Sequence, residues 1–196
     1  MQEKFDPSTI INLHKTSIIR WKLSGIEYQH EHFLKLVEEN HAFNFQLWHA
    51  EDKARRDDMG YEFVYKAKRE IDAHNQQRNN RMEAMDEWLY RALQPESHKN
   101  CPVNSESPGM IIDRLSILSL KSYHMDVQTK RQDASMEHRT TCAQKLEIIH
   151  QQRDQLALCL EELFNDVRAK TRTFRIYHQF KMYNDPKLNP ELYCSG

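Results

Sequence analysis

Five polar residues, Lys68, Asp72, Asn75, Asn79 and Asp86, follow one another at steps of 4, 3, 4 and 7. On a helix that turns by 100° per residue, such steps keep all five within about 40° of one line. Ile71, Met85 and Leu89 mark the apolar face of the same segment, and Val64 and Met82 border the polar line. Arg78 falls between Ile71 and Met85, on the side that should be buried. A second stripe runs through "NFQLWHAEDKARR": Asn44, Trp48, Glu51 and Arg55, flanked by Leu47 and Ala54. Glu51 and Arg55 stand four apart in the acid-first order that favours an intrahelical pair. A third segment, "IIDRLSILSLKSYHM", is apolar almost all round, with Asp113 aligned to His124 and Arg114 to Lys121. In a further helix Arg153 interrupts the run Leu146, Ile149, Leu156, Leu160, Leu163.

A charge left unpaired in apolar surroundings costs several kcal/mol in practice. The stripes are therefore expected to meet one another, or a ligand, in a polar interior shared by neighbouring helices. Arg55, Lys68, Arg78, Arg114 and Lys121 are the candidate cations for an anion, and Glu51, Asp52, Asp72, Asn75, Asn79 and Asp113 the groups that orient them or accept hydroxyls. If a proton moves, Glu51, Asp113 and His124 are its candidate carriers. The competing expectation is a register lock, each arginine satisfied by a carboxylate.

Other chemistries find less support. Glu-x-x-His occurs as Glu27/His30, Glu38/His41 and Glu147/His150, the spacing of helical di-iron sites, but those need two more inward carboxylates. His49 with Asp52 is equally ambiguous, and neither metal nor cofactor is expected. No G-x-S-x-G elbow and no glycine-rich phosphate loop is present, so an anion would be held by side chains or by the helix N-terminus after "NSESPG". Cys101, Cys142, Cys159 and Cys194 show no metal-site spacing and read as free thiols, Cys142 as a packing residue.

The elements that must position these groups are helices. Only 4 of 196 residues are Gly while 29% are charged, which with long apolar periodicity points to an all-α protein. With 8 Phe, 8 Tyr and 3 Trp the chain has ample area to bury. Asp6-Pro7 starts a first helix reaching about Leu23, capped by Gly25. Further helices are expected at about 27–58, with a break near Asn40, then 61–93, 108–126 and 130–168, with a loop at 94–107 and an extended tail at 184–196. This describes one antiparallel bundle of five or six helices, residues 1–196, with the tail docked on it. Phe174, Tyr177 and Phe180, at helical spacing, should dock on the bundle, and Lys181, Asn184 and Asp185 suggest a lid over the polar site. A net charge of −1 offers no field for nucleic acid. The absence of an apolar leader or an 18-residue apolar run suggests a cytoplasmic protein with no membrane span.

"NFQLWHAEDKARR", "KREIDAHNQQRNN", "NSESPGMIIDRLSILSLKSYHM" and "YHQFKMYNDPKLNPELY", in this order over about 40–193, together resemble a bacterial family catalogued as a domain of unknown function. "IDRLSILSLK" also resembles a second uncharacterised family. The resemblance implies a setting among glycosyltransferase genes for lipopolysaccharide or other surface glycans, and no activity. It adds Trp48 and Arg69 to the candidate positions; Asn80 stands where the family pattern has an acid. The combined expectation is an accessory protein or enzyme of surface-glycan synthesis that binds an anionic sugar or phosphosugar, with a glycosyltransferase as possible partner. An all-α isomerase or lyase acting on a small dianion, or a helical interaction module with a purely structural polar core, are the alternatives.

Overall fold

The computed structural model describes residues 6–180 and 185–193. Its architecture is an all-α bundle: α1 (Pro7–Ser24), α2 (His32–Lys53), α3 (Tyr61–Leu93), α4 (Pro108–Thr129) and α5 (Met136–Arg168), followed by a single helical turn at Pro190–Tyr193. The starts of α1, α4 and α5 have a local cause. Asp6 Oδ1 accepts the Ser8 N–H at 3.0 Å ahead of Pro7, Ser107 Oγ accepts the Met110 N–H ahead of α4, and Ser135 Oγ accepts the His138 N–H ahead of α5.

Several boundaries differ from the sequence expectation. α2 begins at His32, not near 27, because the buried Glu38 carboxylate takes the N–H groups of Gln29 (2.9 Å) and His30 (3.1 Å) and pairs with Arg20. Those bonds hold the segment before α2 in a non-helical course. α2 then runs unbroken through Asn40 and ends at Lys53; a short 3-10 turn, Asp57–Met59, leads to Gly60. α5 starts six residues later than expected, at the Ser135 cap. The 94–107 connection is tied down by Thr173, which donates to Pro102 and whose carbonyl accepts from Asn104. Residues 174–180, which follow Thr173, are not helical. Phe174 is buried against Tyr90, while Tyr177 and Phe180 are exposed. The Gln179 N–H and the His178 ring bond Glu83 on α3. Residues 186–188 form a turn, not an extended tail. Lys181 and Asn184, two of the three lid residues, lie outside the described residues.

α4 is the central helix and packs on α1, α2, α3 and α5, as its nearly continuous apolar surface requires. Phe33 and Val37 of α2, Met85 and Leu89 of α3, Ile112 and Leu115 of α4, and Leu160 and Phe164 of α5 form the main core. The crossing of α3 and α4 is closest at Gly109. A Cβ there would meet the Met82 carbonyl oxygen at 2.5 Å and Asp86 Oδ1 at 2.9 Å. Asp86 accepts the Gly109 N–H at 2.7 Å, and burial outweighs this bond to push its carboxyl up to about 7. Among the described residues no helix is long and apolar enough to cross a membrane.

Because the obstruction at Gly109 is backbone, Gly109→Ala must force α3 and α4 apart. Urea unfolding should show a loss of about 1–3 kcal/mol; an unchanged midpoint would mean that the crossing is not tight.

Candidate functional site

One buried hydrogen-bond network joins four helices. Asp113 Oδ1 on α4 accepts from Asn40 Nδ2 (3.0 Å) and Asn44 Nδ2 (2.8 Å) on α2. Asn40 also reaches the Arg78 carbonyl of α3 at 3.4 Å, and Asn44 donates to Ser116 Oγ at 3.0 Å. Ser116 in turn meets His41 Nδ1 at 2.7 Å, and His41 Nε2 meets the His14 carbonyl of α1 at 3.0 Å. A carbonyl only accepts, so His41 carries its proton on Nε2 and accepts from Ser116 at Nδ1. Burial holds His41 down at about 3, so it is neutral. The His14 ring lies 4.5 Å from that of His41, has neither nitrogen hydrogen-bonded among the described residues, and is likewise held neutral by burial.

Above Asp113 lies a cavity of about 380 Å³, walled by Asn44, Leu47, Trp48, Glu51 and Asp52 of α2, Arg55 of the turn that follows it, Asn75 and Arg78 of α3, and Ile117 and Leu120 of α4. Arg78 is its deepest cation, with 27% of its side chain exposed. Its Nε lies 3.7 Å from Asp113 Oδ1, beyond hydrogen-bond length, and is buried with no hydrogen-bond partner among the described residues. Arg55 is 69% exposed and bonds Glu51 at 2.9 Å. Trp48 stacks on His124, centroids 4.3 Å apart and planes 5° from parallel, with His49 edge-on to the same imidazole. Burial, with Lys22 and His49 nearby, lowers His124 to about 4, so at neutral pH it is a neutral ring and no acid.

The structure thus brings Glu51, Asp52, Arg55, Asn75 and Arg78 to one cavity, with Asp113 beneath and His124 behind Trp48. It does not bring the other candidates there. Lys68, 56% exposed, pairs with Asp72, which Arg69 also approaches; Asn79 is buried but outside the lining. Arg114 and Lys121 face a separate cleft of about 790 Å³ between α4 and α5, where Arg114 bonds Glu106 at 2.5 Å. Arg153 is buried and pairs with its neighbour Asp154. Among the described residues no three His, Cys, Asp or Glu side chains converge as a metal-holding group.

Sequence reading missed Asn40, His41 and Ser116. Their signal was present: Asn40 and Asn44 stand four apart in line with the apolar Val37 and Phe33, where a helix break was expected instead.

Asp113→Leu keeps the branched shape but leaves two buried amides without their acceptor, so unfolding free energy should fall by about 2–4 kcal/mol; a neutral result would sink the network's role. His14→Leu tests the buried imidazoles. A histidine with a lowered folded pKa contributes full stability above its unfolded value of 6.5 and loses it as pH falls below that. The raised carboxyl of Asp86 acts in the opposite sense, adding stability as pH falls from about 7. The comparison must therefore be between variant and wild type: the variant should gain on the wild type by about 1.4 kcal/mol per pH unit below 6.5. A pH-independent difference in thermal midpoint between pH 7 and pH 5 would contradict it.

No curated protein and no solved structure matches the chain. A family model does, over residues 34–176, a stretch that holds α2 to α5 and every wall of the cavity. The chain therefore belongs to the family described as "Protein of unknown function (DUF4254)".

Proposed function

We propose that the protein binds an anionic sugar or sugar phosphate in the cavity between α2, α3 and α4, as a cytoplasmic accessory protein or enzyme of bacterial surface-glycan synthesis. The observation that carries this reading is Arg78. Two amides already fill Asp113 Oδ1, and Arg78 adds to it only an ion pair at 3.7 Å. A register lock does not need a guanidinium held at 3.7 Å from an occupied carboxylate with its Nε unpartnered beside an open space. An oxyanion of the ligand supplies what is missing, as a charge-assisted and bidentate partner.

The other walls suit a sugar. Trp48 offers an indole braced from behind by a neutral imidazole, a flat apolar surface for the C–H face of a pyranose ring. Glu51 and Asp52 accept hydroxyl protons, and Asn44 and Asn75 have amides that both donate and accept. Two carboxylates match two guanidiniums on the walls, so the site suits one anionic substituent among many hydroxyls better than two separate carboxylates. This counts against the isomerase or lyase alternative. The surface-glycan setting and a glycosyltransferase partner rest on the sequence resemblance. Binding is the activity the geometry supports; a neutral His124 adds a hydrogen-bonding ring and no general acid.

Thermal shift against uronic acids, sugar phosphates and nucleotide sugars should give a rise for at least one member. Arg78→Met should abolish that rise while costing less than about 1 kcal/mol of stability, its ion pair being long and partly solvated. A flat panel together with a loss of about 3 kcal/mol or more in the variant would reassign Arg78 to the core.

A further inference from the structure

The cavity and the larger cleft are not independent. Ile117 of α4 lines both. Arg114, Ile117 and Lys121, at i, i+3 and i+7, form the outward stripe of α4, with Arg114 and Lys121 exposed and Ile117 half-buried. α2 and α3 wall the cavity that meets this stripe at Ile117, and α5 walls the cleft that meets it there too. The two recesses thus share one wall residue on α4, with Ile117 as the apolar boundary between them.

The two recesses carry matching chemistry. Arg78 is the underused cation on the near side. On the far side Arg114 bonds Glu106 and Arg172 bonds Asp166, whereas Lys121 has no ion-pair partner among the described residues. Gln152 and Gln155 of α5 add amides that donate and accept, and Leu118 and Leu156 add apolar floor. From recess to recess a ligand must cross roughly 10 Å, the width of a helix with its side chains. It must present an anion at each end and an apolar face to Ile117 between them. A single sugar is too short, and a diphosphate bridge would set its charges over the isoleucine.

We infer that the ligand is an acidic oligosaccharide with negative groups on separate residues, one held by Arg78 and another by Lys121, a pyranose face crossing Ile117. This rests on the reading of the α2–α3–α4 cavity as a sugar site and extends it to a chain of units. Linking two anchored units makes the second contact intramolecular, so affinity rises with chain length until both recesses are filled.

The test uses the full chain and isothermal titration with galacturonate, digalacturonate and tetragalacturonate. The tetramer should bind roughly tenfold or more tighter than the monomer. Lys121→Met should bring the tetramer's affinity down to that of the monomer, and Ile117→Glu, which sets a charge on the boundary between the recesses, should do the same. Both positions are at the surface, so circular dichroism should show a folded protein. Equal affinity for monomer and tetramer overturns the inference and leaves the single-sugar reading standing. A length-dependent gain that survives both substitutions places the chain elsewhere and overturns it too. No binding of any member overturns the inference, and the sugar site is then decided by the thermal-shift panel.

Discussion

A single carboxylate sets the frame on which the rest of this molecule depends. Asp113 sits midway along the front half of α4, with 7% of its side chain exposed. It is bonded by two amides from α2, and one of those amides also bonds the backbone of α3 at Arg78. Sliding any of the three helices by one turn would move these donors by 5.4 Å and strand the charge, at several kcal/mol. The chain from Asn44 through Ser116 and His41 to the His14 carbonyl extends the same constraint to α1. Apolar packing brings the helices together; this network selects their relative heights, and the relative heights decide which side chains wall the cavity.

The positions of the cavity residues follow from that selection. Glu51 and Asp52 lie in the last turn of α2 and Arg55 in the turn just after it, beyond the buried amides. Arg78 lies on α3 at the level of Asn40, so its side chain can extend toward Asp113 without being required by it. The Gly109 contact works at the other end of the same crossing. It admits the α3 backbone to within a methyl's width of α4, and the Asp86 carboxyl at the start of α4 fills the remaining gap. The close approach there and the polar lock at Asp113 together let the helices part just enough, further along, for an open space.

The fold was largely legible from local chemistry, because caps and periodicity act within a few residues. Asp6-Pro7, Gly25, Gly60 and Ser107-Pro108 all mark real boundaries, and the nearly continuous apolar surface of α4 marks its central place. The errors arose where a distant group decides. α2 starts late because Glu38, a turn and a half inside it, draws in the preceding amides. Asn40, read as a break, is instead buried as a donor to a helix some seventy positions away. The candidate site was half legible for the same reason. Angular position on a helix shows which residues share a stripe but not which neighbour that stripe faces. Arg114 and Lys121 do align with one another, yet they look toward α5, while Asp113, one residue from Arg114, looks toward α2.

Electrostatics of the cavity mouth point the same way as its shape. His124 and His49 stand beside Lys22 and Trp48, and both rings are pushed toward the neutral form by burial and by that lysine. Neutral imidazoles leave the cation count of the cavity fixed across physiological pH, so its positive charge is that of guanidiniums, which do not titrate there. Stacked 4.3 Å from His124, the indole of Trp48 is held in one orientation at little further cost in side-chain entropy when a ligand settles on it. A ring braced in this way, a guanidinium held short of its nearest carboxylate, and carboxylates spaced along the rim are each weak features alone. All three are placed around the one lock at Asp113, and on the proposed reading that placement is the preorganisation a binding site needs and a polar gap between helices lacks.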